Sequence, residues 1–307
     1  MIFMDHISIV IVHYNTDKET KECLESLEAT KTNQNFKYDV ILLDNASKNP
    51  LKLKKNYRNV ELIRSDSNLG FTGGNNLAVK YALDKHNSDF VLLLNNDTIV
   101  DHDFLKNLYK CIKVHPKAGL ITPKIYFEKN YEFYKADYPI KDRGNVLWYA
   151  GGSMDWKHLA ASHRGVDEVD YGQFNEVSKV DFATGCCLLI TREIIETVGL
   201  LNDDLFLYSE DVDYSLRVKQ AGYDLLYCPE SLVWHKNAGS SGGSGSSVQL
   251  YYQTRNRLWI ARNHGDYRAK YIALRLILRI IIGGSDVEKE ALRDFITNNM
   301  GKKAVII

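Results

Sequence analysis

Val91-Leu92-Leu93-Leu94-Asn95-Asn96-Asp97-Thr98 runs four apolar residues straight into two amides and a carboxylate. An unbroken apolar run predicts a strand buried on both faces, in the middle of a sheet covered on both sides. Polar groups at the carboxyl end of such a strand stand where open α/β sheets bind ligands. Asp97 brings the only charge, and a hard cation favours a carboxylate. An Asx turn followed by the cap of the next helix accounts for the same residues. The stretch alone leaves both readings open.

Upstream the same design repeats. Ile7-Ser8-Ile9-Val10-Ile11-Val12 is β-branched and apolar, hence a central strand, and it ends at His13-Tyr14-Asn15-Thr16. Tyr38 to Leu43 predicts a second strand ending at Asp44-Asn45-Ala46-Ser47, and Val60-Glu61-Leu62-Ile63 a short third. A helix is expected from Asp17 to Thr30, with Cys23, Leu24 and Leu27 on one face. Asn68-Leu69-Gly70-Phe71-Thr72-Gly73-Gly74-Asn75-Asn76 opens another, running through Asp84. Strands alternating with helices predict an α/β fold with a mostly parallel, doubly wound sheet and helices on both faces. Right-handed crossovers then bring every parallel carboxyl end to one edge.

Downstream, the pattern breaks after Pro123. Tyr126 to Lys179 is rich in Tyr, Trp and Gly and predicts irregular strands and loops facing a substrate. Phe182 to Ile190 is regular again, followed by a helix from Arg192 to Val198 and another from Glu210 to Ala221, each stopped by a glycine. Leu225 to Pro229 reads as a short strand, Ala238 to Ser247 as a flexible Gly/Ser loop, and Val248 to Ile307 as helical. No internal repeat is present.

Composition sets bounds on function. The 307 residues carry a formal net charge of +0, with 45% hydrophobic and 25% charged residues. That is ordinary for a soluble globular protein and argues against nucleic acid as the main partner. The charge is uneven: Arg255 to Arg279 holds seven basic residues and one acid, Asp266. The five cysteines show no C-x-x-C spacing, which fits thiols in a reducing compartment rather than disulfides or a zinc site. The N-terminal residues read as a first strand rather than a signal peptide, and no run approaches the roughly 18 to 20 apolar residues of a membrane span.

Several positions could carry chemistry. The glycines from Gly70 to Gly74 would let backbone approach a phosphate or sugar at a helix N-terminus, though neither the P-loop nor the dinucleotide fingerprint is matched. Tyr208-Ser209-Glu210-Asp211-Val212-Asp213 crowds three carboxylates after an aromatic approach. Ser209 as a cap, dipole-favoured acids in the first turn and an Asp213–Arg217 pair would explain part of it. A carboxylate against apolar walls can also be a general base. His235 follows a strand-like Ser231-Leu232-Val233-Trp234 and precedes the Gly/Ser loop, as a residue beside a lid would. An Asp and a His from separate strands make a reasonable divalent-metal site. Arg255 can grip phosphate with its fork, or sit on a solvated helix face. Tyr271 to Ile282 alternates aliphatics with Arg275 and Arg279, as in a helix packed on the core or lying on an anionic membrane, and the wide apolar face favours the membrane.

Taken in order, Ile9 to Asn15, Leu43 to Ser47, Asn68 to Phe71, Leu94 to Thr98, Glu210 to Asp213 and Trp234-His235 resemble the family 2 inverting glycosyltransferases of GT-A fold. Trp148-Tyr149-Ala150-Gly151-Gly152 and Tyr252-Gln253-Thr254-Arg255-Asn256 are similar to what its bacterial rhamnosyltransferase-like branch carries. The resemblance covers residues 6 to 264. It implies that Tyr14 and Asn15 border the nucleotide base and that Asp44, with Asn45, contacts the base or ribose. Gly73, Gly74, Asn75 and Asn96 would line the donor cleft, and Arg255 would reach the diphosphate. Asp97 stands at the last position of the family's metal motif and His235 at its later ligand position, with Mn2+ or Mg2+ as the cofactor. Asp211 matches the base, with Glu210 beside it. Asn95 and Asn96 depart from the pattern, since many members have another Asp there, so weak metal binding without nucleotide is expected.

The expected activity moves a sugar from a dTDP- or UDP-linked donor to a hydroxyl of a cell-surface glycan or lipid-linked precursor, with inversion. The expected place is the cytoplasmic face of the membrane, reached through the C-terminal helices. Residues 1–247 would form the catalytic domain, divided into a nucleotide half (1–123) and an acceptor half (124–247), and 248–307 a helical extension. A sugar nucleotidyltransferase and an inactive binding protein of the same fold are the alternatives.

Overall fold

The computed structural model describes residues 4–31, 35–53, 55–237 and 246–303. At its centre is β4 (Phe90–Leu94), where Val91 to Leu94 are all buried. Successive strand side chains point to opposite faces, so burial of all four means that both faces are covered. β1 (Asp5–His13) lies parallel on one side, with Ile7 opposite Phe90, and continues outward to β2 (Phe36–Asp44) and β3 (Val60–Arg64), also parallel. The helix α1 (Asp17–Glu28) joins β1 to β2, and α2 (Gly70–His86) leads from β3 into β4.

On the other side of β4 the order departs from a purely parallel sheet. After β5 (Thr98–Val100) and α3 (Phe104–Val114) comes β6 (Ala118–Phe127). Three short strands follow, β7 (Leu147–Tyr149) against β6, and β8 (Gly152–Asp155) paired with β9 (Ala160–His163) as a separate ribbon. Next are β10 (Ser178–Lys179), β11 (Cys187–Thr191), α4 (Arg192–Val198), α5 (Glu210–Gln220) and β12 (Asp224–His235). The ten-stranded sheet of the described residues runs β10-β12-β6-β11-β4-β1-β2-β3, with β5 on β12 and β7 on β6. Here β11 is the reversed strand, antiparallel to both β4 and β6, while β12 is parallel to β6. The chain then turns helical: α6 (Ser247–His264), α7 (Tyr267–Gly283) and α8 (Asp286–Ile296).

Two expectations about strands need correction. The pattern does not break at Pro123, because β6 runs through it to Phe127, fully buried. Pro123 is tolerated because it faces Cys228, where the β6–β12 register shifts. A proline in a sheet is accommodated at such a bulge, where no ladder donor is needed. The segments around Leu225–Pro229 and Ser231–Trp234 are one strand, β12, bulged where Pro229 interrupts it. Thr98 caps no helix; it begins β5. The Gly/Ser loop read at 238–247 falls outside the described residues except for Ser246, whose side chain accepts from Gln249 N–H at the head of α6, and Ser247. All five cysteines are buried and unbridged.

Candidate active site

The carboxyl edge of the sheet opens into a cleft of about 940 Å³, within the range of small-molecule sites. The pairing of β5 with β12 sets its floor. His235 pairs with Thr98, so the imidazole arrives beside Asp97, with Nε2 3.1 Å from Asp97 Oδ1. The Lys236 N–H donates to the Asp97 carbonyl at 3.0 Å and locks the two segments together. His235 is buried, Trp148 packs edge-on against it at 4.6 Å, and its Nδ1 has no hydrogen-bond partner. Asn95 N–H donates to the Cys186 carbonyl, and Asn96 Nδ2 donates to Thr16 and Thr20 hydroxyls at 2.6 and 2.7 Å. Asn95, Asn96 and Asp97 all line the cleft.

The same cleft is lined by Glu210 and Asp211, at the start of α5. Asp211 Oδ2 accepts from the Gly185 N–H at 3.1 Å and Oδ1 from the Val212 N–H at 2.8 Å. Burial raises its pKa, outweighing those two donors. Burial and then the nearby Asp211 carboxylate push Glu210 well above the ordinary carboxylate range, and its Oε2 has no partner. Ser209 does not cap the helix through its side chain; it adopts φ 66 instead. Asp213 is buried between Arg217 Nε at 2.9 Å and His264 Nε2 at 2.7 Å, and ties α5 to α6. A second imidazole on the wall, His163, lines the cleft beside Trp148 and is pushed by burial down to about 4, hence neutral.

The loop that delivers the acids is strained. Phe206, Tyr208 and Ser209 have φ of 62, 65 and 66, a left-handed conformation that costs on the order of 1–3 kcal/mol per non-glycine residue. Asn256 holds it: Nδ2 lies 3.0, 2.9 and 2.7 Å from the carbonyls of Leu205, Leu207 and Tyr208. Arg255, expected at the diphosphate, does not reach the cleft. It is 1% exposed, and its guanidinium donates to Asn256 Oδ1 and to the carbonyls of Asp204, Leu205 and Gly301. The ring of Tyr252 lies 4.9 Å beneath it. The cleft instead receives Gln249, Gln253 and Arg257 from α6, one stripe at four-residue spacing. The 247/248 boundary therefore cuts through the cleft.

The nucleotide-side expectations divide. Tyr14, Asn45 and Asn75 line the cleft, whereas Asn15, Asp44, Gly73 and Gly74 are not on its wall. Asp44 is buried behind it, accepting from Ser47 and Leu51 N–H groups and from Arg64. Burial works against the Asp44 anion, but these donors outweigh it and hold its pKa low. Asn15 accepts from Lys48 N–H at 2.9 Å. Gly74 packs against β1 and Asn45, where a Cβ would meet Val12 at 3.1 Å. Gly70 is the glycine the geometry requires: φ is +74 and a Cβ would lie 2.6 Å from the Phe206 carbonyl. That carbonyl accepts from the Phe71 and Thr72 N–H groups. The head of α2 is thus capped by protein rather than left open for phosphate. Asn45 orders this corner, donating to the Gly70 carbonyl and accepting from Leu69 N–H.

The Asp97–His235 pair suits a divalent cation. Octahedral bonds of about 2.1 Å place neighbouring ligands about 3 Å apart, matching the observed 3.1 Å between Oδ1 and Nε2. Two protein ligands leave most of the shell to a diphosphate and water.

A family model described as glycosyltransferase-like family 2 matches residues 5–260. The chain belongs to glycosyltransferase family 2. This glycosyltransferase is 25% identical over 254 residues to the low-salt glycan biosynthesis hexosyltransferase Agl10 of Haloferax volcanii, covering 83% of this chain and 75% of that one. It is 24% identical over 273 residues to the N-acetylglucosaminyl-diphospho-decaprenol L-rhamnosyltransferase of Mycobacterium tuberculosis, covering 86% of each. Among solved structures it is similar to GalNAc-T7 with UDP, GalNAc and Mn2+ (TM-score 0.64, 18% identity), over 97% of this chain and 55% of that one. The fold is thus of GT-A type, with a rhamnosyltransferase-like sequence, and the activity is glycosyl transfer from a nucleotide sugar. A nucleotidyltransferase or a mere binding protein is no longer needed to explain the chain.

Proposed function

We propose that this glycosyltransferase transfers a sugar, with inversion, from a dTDP- or UDP-linked donor to a hydroxyl of a cell-surface glycan or its lipid-linked precursor. The observation that carries the reading is that one cleft is lined both by the Asp97–His235 pair and by Asp211 and Glu210. The mycobacterial relative acts on a lipid-linked acceptor by its name, and GalNAc-T7 was solved with UDP and Mn2+. Asp97 and His235 would hold the cation. When bound, it supplies positive charge to the diphosphate as the bond to the sugar breaks.

Asp211 takes the acceptor proton at Oδ1 or Oδ2 as the hydroxyl attacks the anomeric carbon from the side opposite the diphosphate. The Gly185 and Val212 N–H groups aim its carboxylate. Glu210, neutral in its buried position, keeps a second negative charge away from the base. Tyr14, Asn45, Asn75 and Asn96 bound the donor side, and Arg257 takes the diphosphate role expected of Arg255. Asp44, Asn15, Gly73 and Gly74 support the donor wall from behind.

The exposed face of α7 fits peripheral contact with an anionic membrane on the cytoplasmic side. No helix among the described residues is long and apolar enough to cross a membrane.

The test is a thermal-shift panel of nucleoside diphosphates and sugar nucleotides, with and without Mn2+, followed by turnover of the binders. A bound donor raises the melting point. Asp211→Asn is expected to keep that shift and lose at least about 100-fold in transfer. Transfer at the wild-type rate in this variant removes Asp211 from the role.

A further inference from the structure

A second polar cluster lies at the edge of the sheet opposite the cleft. His6 opens β1, Asp39 lies on β2 and His86 closes α2. His6 Nε2 is 3.0 Å from Asp39 Oδ2, and His86 Nδ1 is 2.7 Å from the same oxygen. One ligand atom from each residue falls within 4.8 Å of the others, and this is the one such group of three His, Cys, Asp or Glu residues among the described residues. His6 and His13 sit near the two ends of β1, roughly 23 Å apart along extended chain. The cluster is therefore separate from the cleft.

Each member is oriented from behind. His6 Nδ1 lies 2.9 Å from the His86 carbonyl, so that nitrogen carries the proton and, in a neutral ring, Nε2 turns a lone pair to Asp39. His86 Nε2 faces Glu61 Oε2 at 3.2 Å, and the Tyr81 hydroxyl donates to the other Glu61 oxygen. Ser8 Oγ donates to Asp39 Oδ1 at 2.6 Å. A carbonyl or carboxylate behind each imidazole is what fixes ring orientation and raises ligand basicity in metal sites. A lone pair facing a carboxylate oxygen needs a proton or a cation between them. Filling both gaps with protons makes His6 an imidazolium and aims two N–H groups at one carboxylate oxygen, whereas one cation satisfies all three atoms.

We propose that His6 Nε2, Asp39 Oδ2 and His86 Nδ1 bind a structural Zn2+ ion, with water as the fourth ligand. Two imidazoles and a carboxylate suit zinc, whose tetrahedral ligands at about 2.0–2.1 Å stand about 3.3 Å apart. The two N···O separations need to open by about 0.3–0.6 Å to reach that spacing, and the two nitrogens lie within 4.8 Å of each other. The ion clips the start of β1, β2 and the end of α2 together, segments distant in sequence.

The full chain, stripped of metal, is titrated with Co2+ as a visible-absorbing substitute and then with Zn2+. Wild type and Asp97→Asn are both expected to show the absorption of tetrahedral Co2+ at one ion per chain, and to lose it as Zn2+ displaces the cobalt. Zn2+ is also expected to raise the melting temperature without any nucleotide present. His86→Gln is expected to abolish the signal. Glu61→Gln, which keeps all three ligands, is expected to weaken Co2+ binding about 10- to 100-fold. No uptake by wild type, loss of the signal in Asp97→Asn, or an unchanged signal in folded His86→Gln overturns the proposal. If His86→Gln fails to fold, unchanged affinity in Glu61→Gln overturns it.

Discussion

At the scale of single residues, the acids of the cleft depend on Asn256, which closes the Tyr252–Asn256 stretch and had no expected role of its own. Asn256 sits within hydrogen-bond reach of three carbonyls of a loop with three left-handed residues. Asn256→Ala removes the donor shared by those carbonyls, leaving Leu205 with Arg255 and the Leu207 N–H, and the loop can relax. A displacement near 1 Å at a reacting group costs on the order of 10²-fold in rate. The expected result is a fall in kcat of that order with KM for the donor little changed. A lowered melting temperature and a matching loss of active-enzyme fraction would mean a general folding defect instead.

Glu210 gives a second test at the same scale. Its native pKa lies above its ordinary 4.5 because of burial. The native state therefore holds the proton more tightly than the unfolded chain, and stability falls as pH rises above that value, until Glu210 ionises in the fold. Glu210→Gln removes this loss. It should match wild type in acid and exceed it at higher pH by on the order of 1–3 kcal/mol, read from denaturant melts across the range. Asp211 has the opposite consequence for turnover. As the proposed base it would have to be unprotonated, so kcat/KM is expected to fall as pH drops through its raised pKa.

At the scale of elements, α7 has two apolar faces. Ala269, Ala273 and Ile280 are buried against α6 and α8, while Tyr267, Tyr271, Leu274, Leu278, Ile281 and Ile282 form an exposed stripe, from 50% to 84% exposed. Arg268, Lys270 and Arg275 are exposed on the same helix. Basic flanks and an apolar stripe are the chemistry of a helix lying on anionic lipid. Leu274→Asp with Leu278→Asp is expected to reduce sedimentation with anionic vesicles while leaving the fold intact. Unchanged sedimentation removes the membrane from the account. This pair is a sharper probe than deletion of Lys270 to Ile307, which also removes Gly301 from Arg255.

Elements also explain what could be read from the sequence. β4 and β1 were legible because unbroken apolar runs have one comfortable place in an α/β sheet, and their polar ends fell at the cleft as parallel crossovers require. Arg255 misled because a helix pattern does not reveal which side meets the cleft. Arg257, two residues on and about 200° around the helix, is on the cleft wall. Gly73 and Gly74 drew attention as a loop, whereas the close approach occurs at Gly70. β5 is three residues long and carries no periodic signal, yet its register sets His235 beside Asp97.

At the scale of the whole molecule, the proposed cation would take two protein ligands, Asp97 and His235, and leave the rest of its shell to the donor. Metal and nucleotide are thus expected to bind together, each tightening the other. Calorimetry should find weak Mn2+ binding to the free protein and tighter binding with a nucleoside diphosphate present. Transfer should stop in excess EDTA and return with Mn2+. Full turnover in EDTA would dismiss the cation.

The contact between Arg255 and the Gly301 carbonyl also bears on how the molecule comes into being. Among the described residues the sheet strands all lie before residue 236, and a chain emerging from the ribosome can pair them as they appear. Asp211, on α5, also precedes that point, but the residues that hold its loop arrive later, Asn256 first and Gly301 after it. A nascent chain can thus complete that sheet before the loop ahead of Asp211 is held. The proposed base is then expected to reach its final position in a late step, after the bulk of folding.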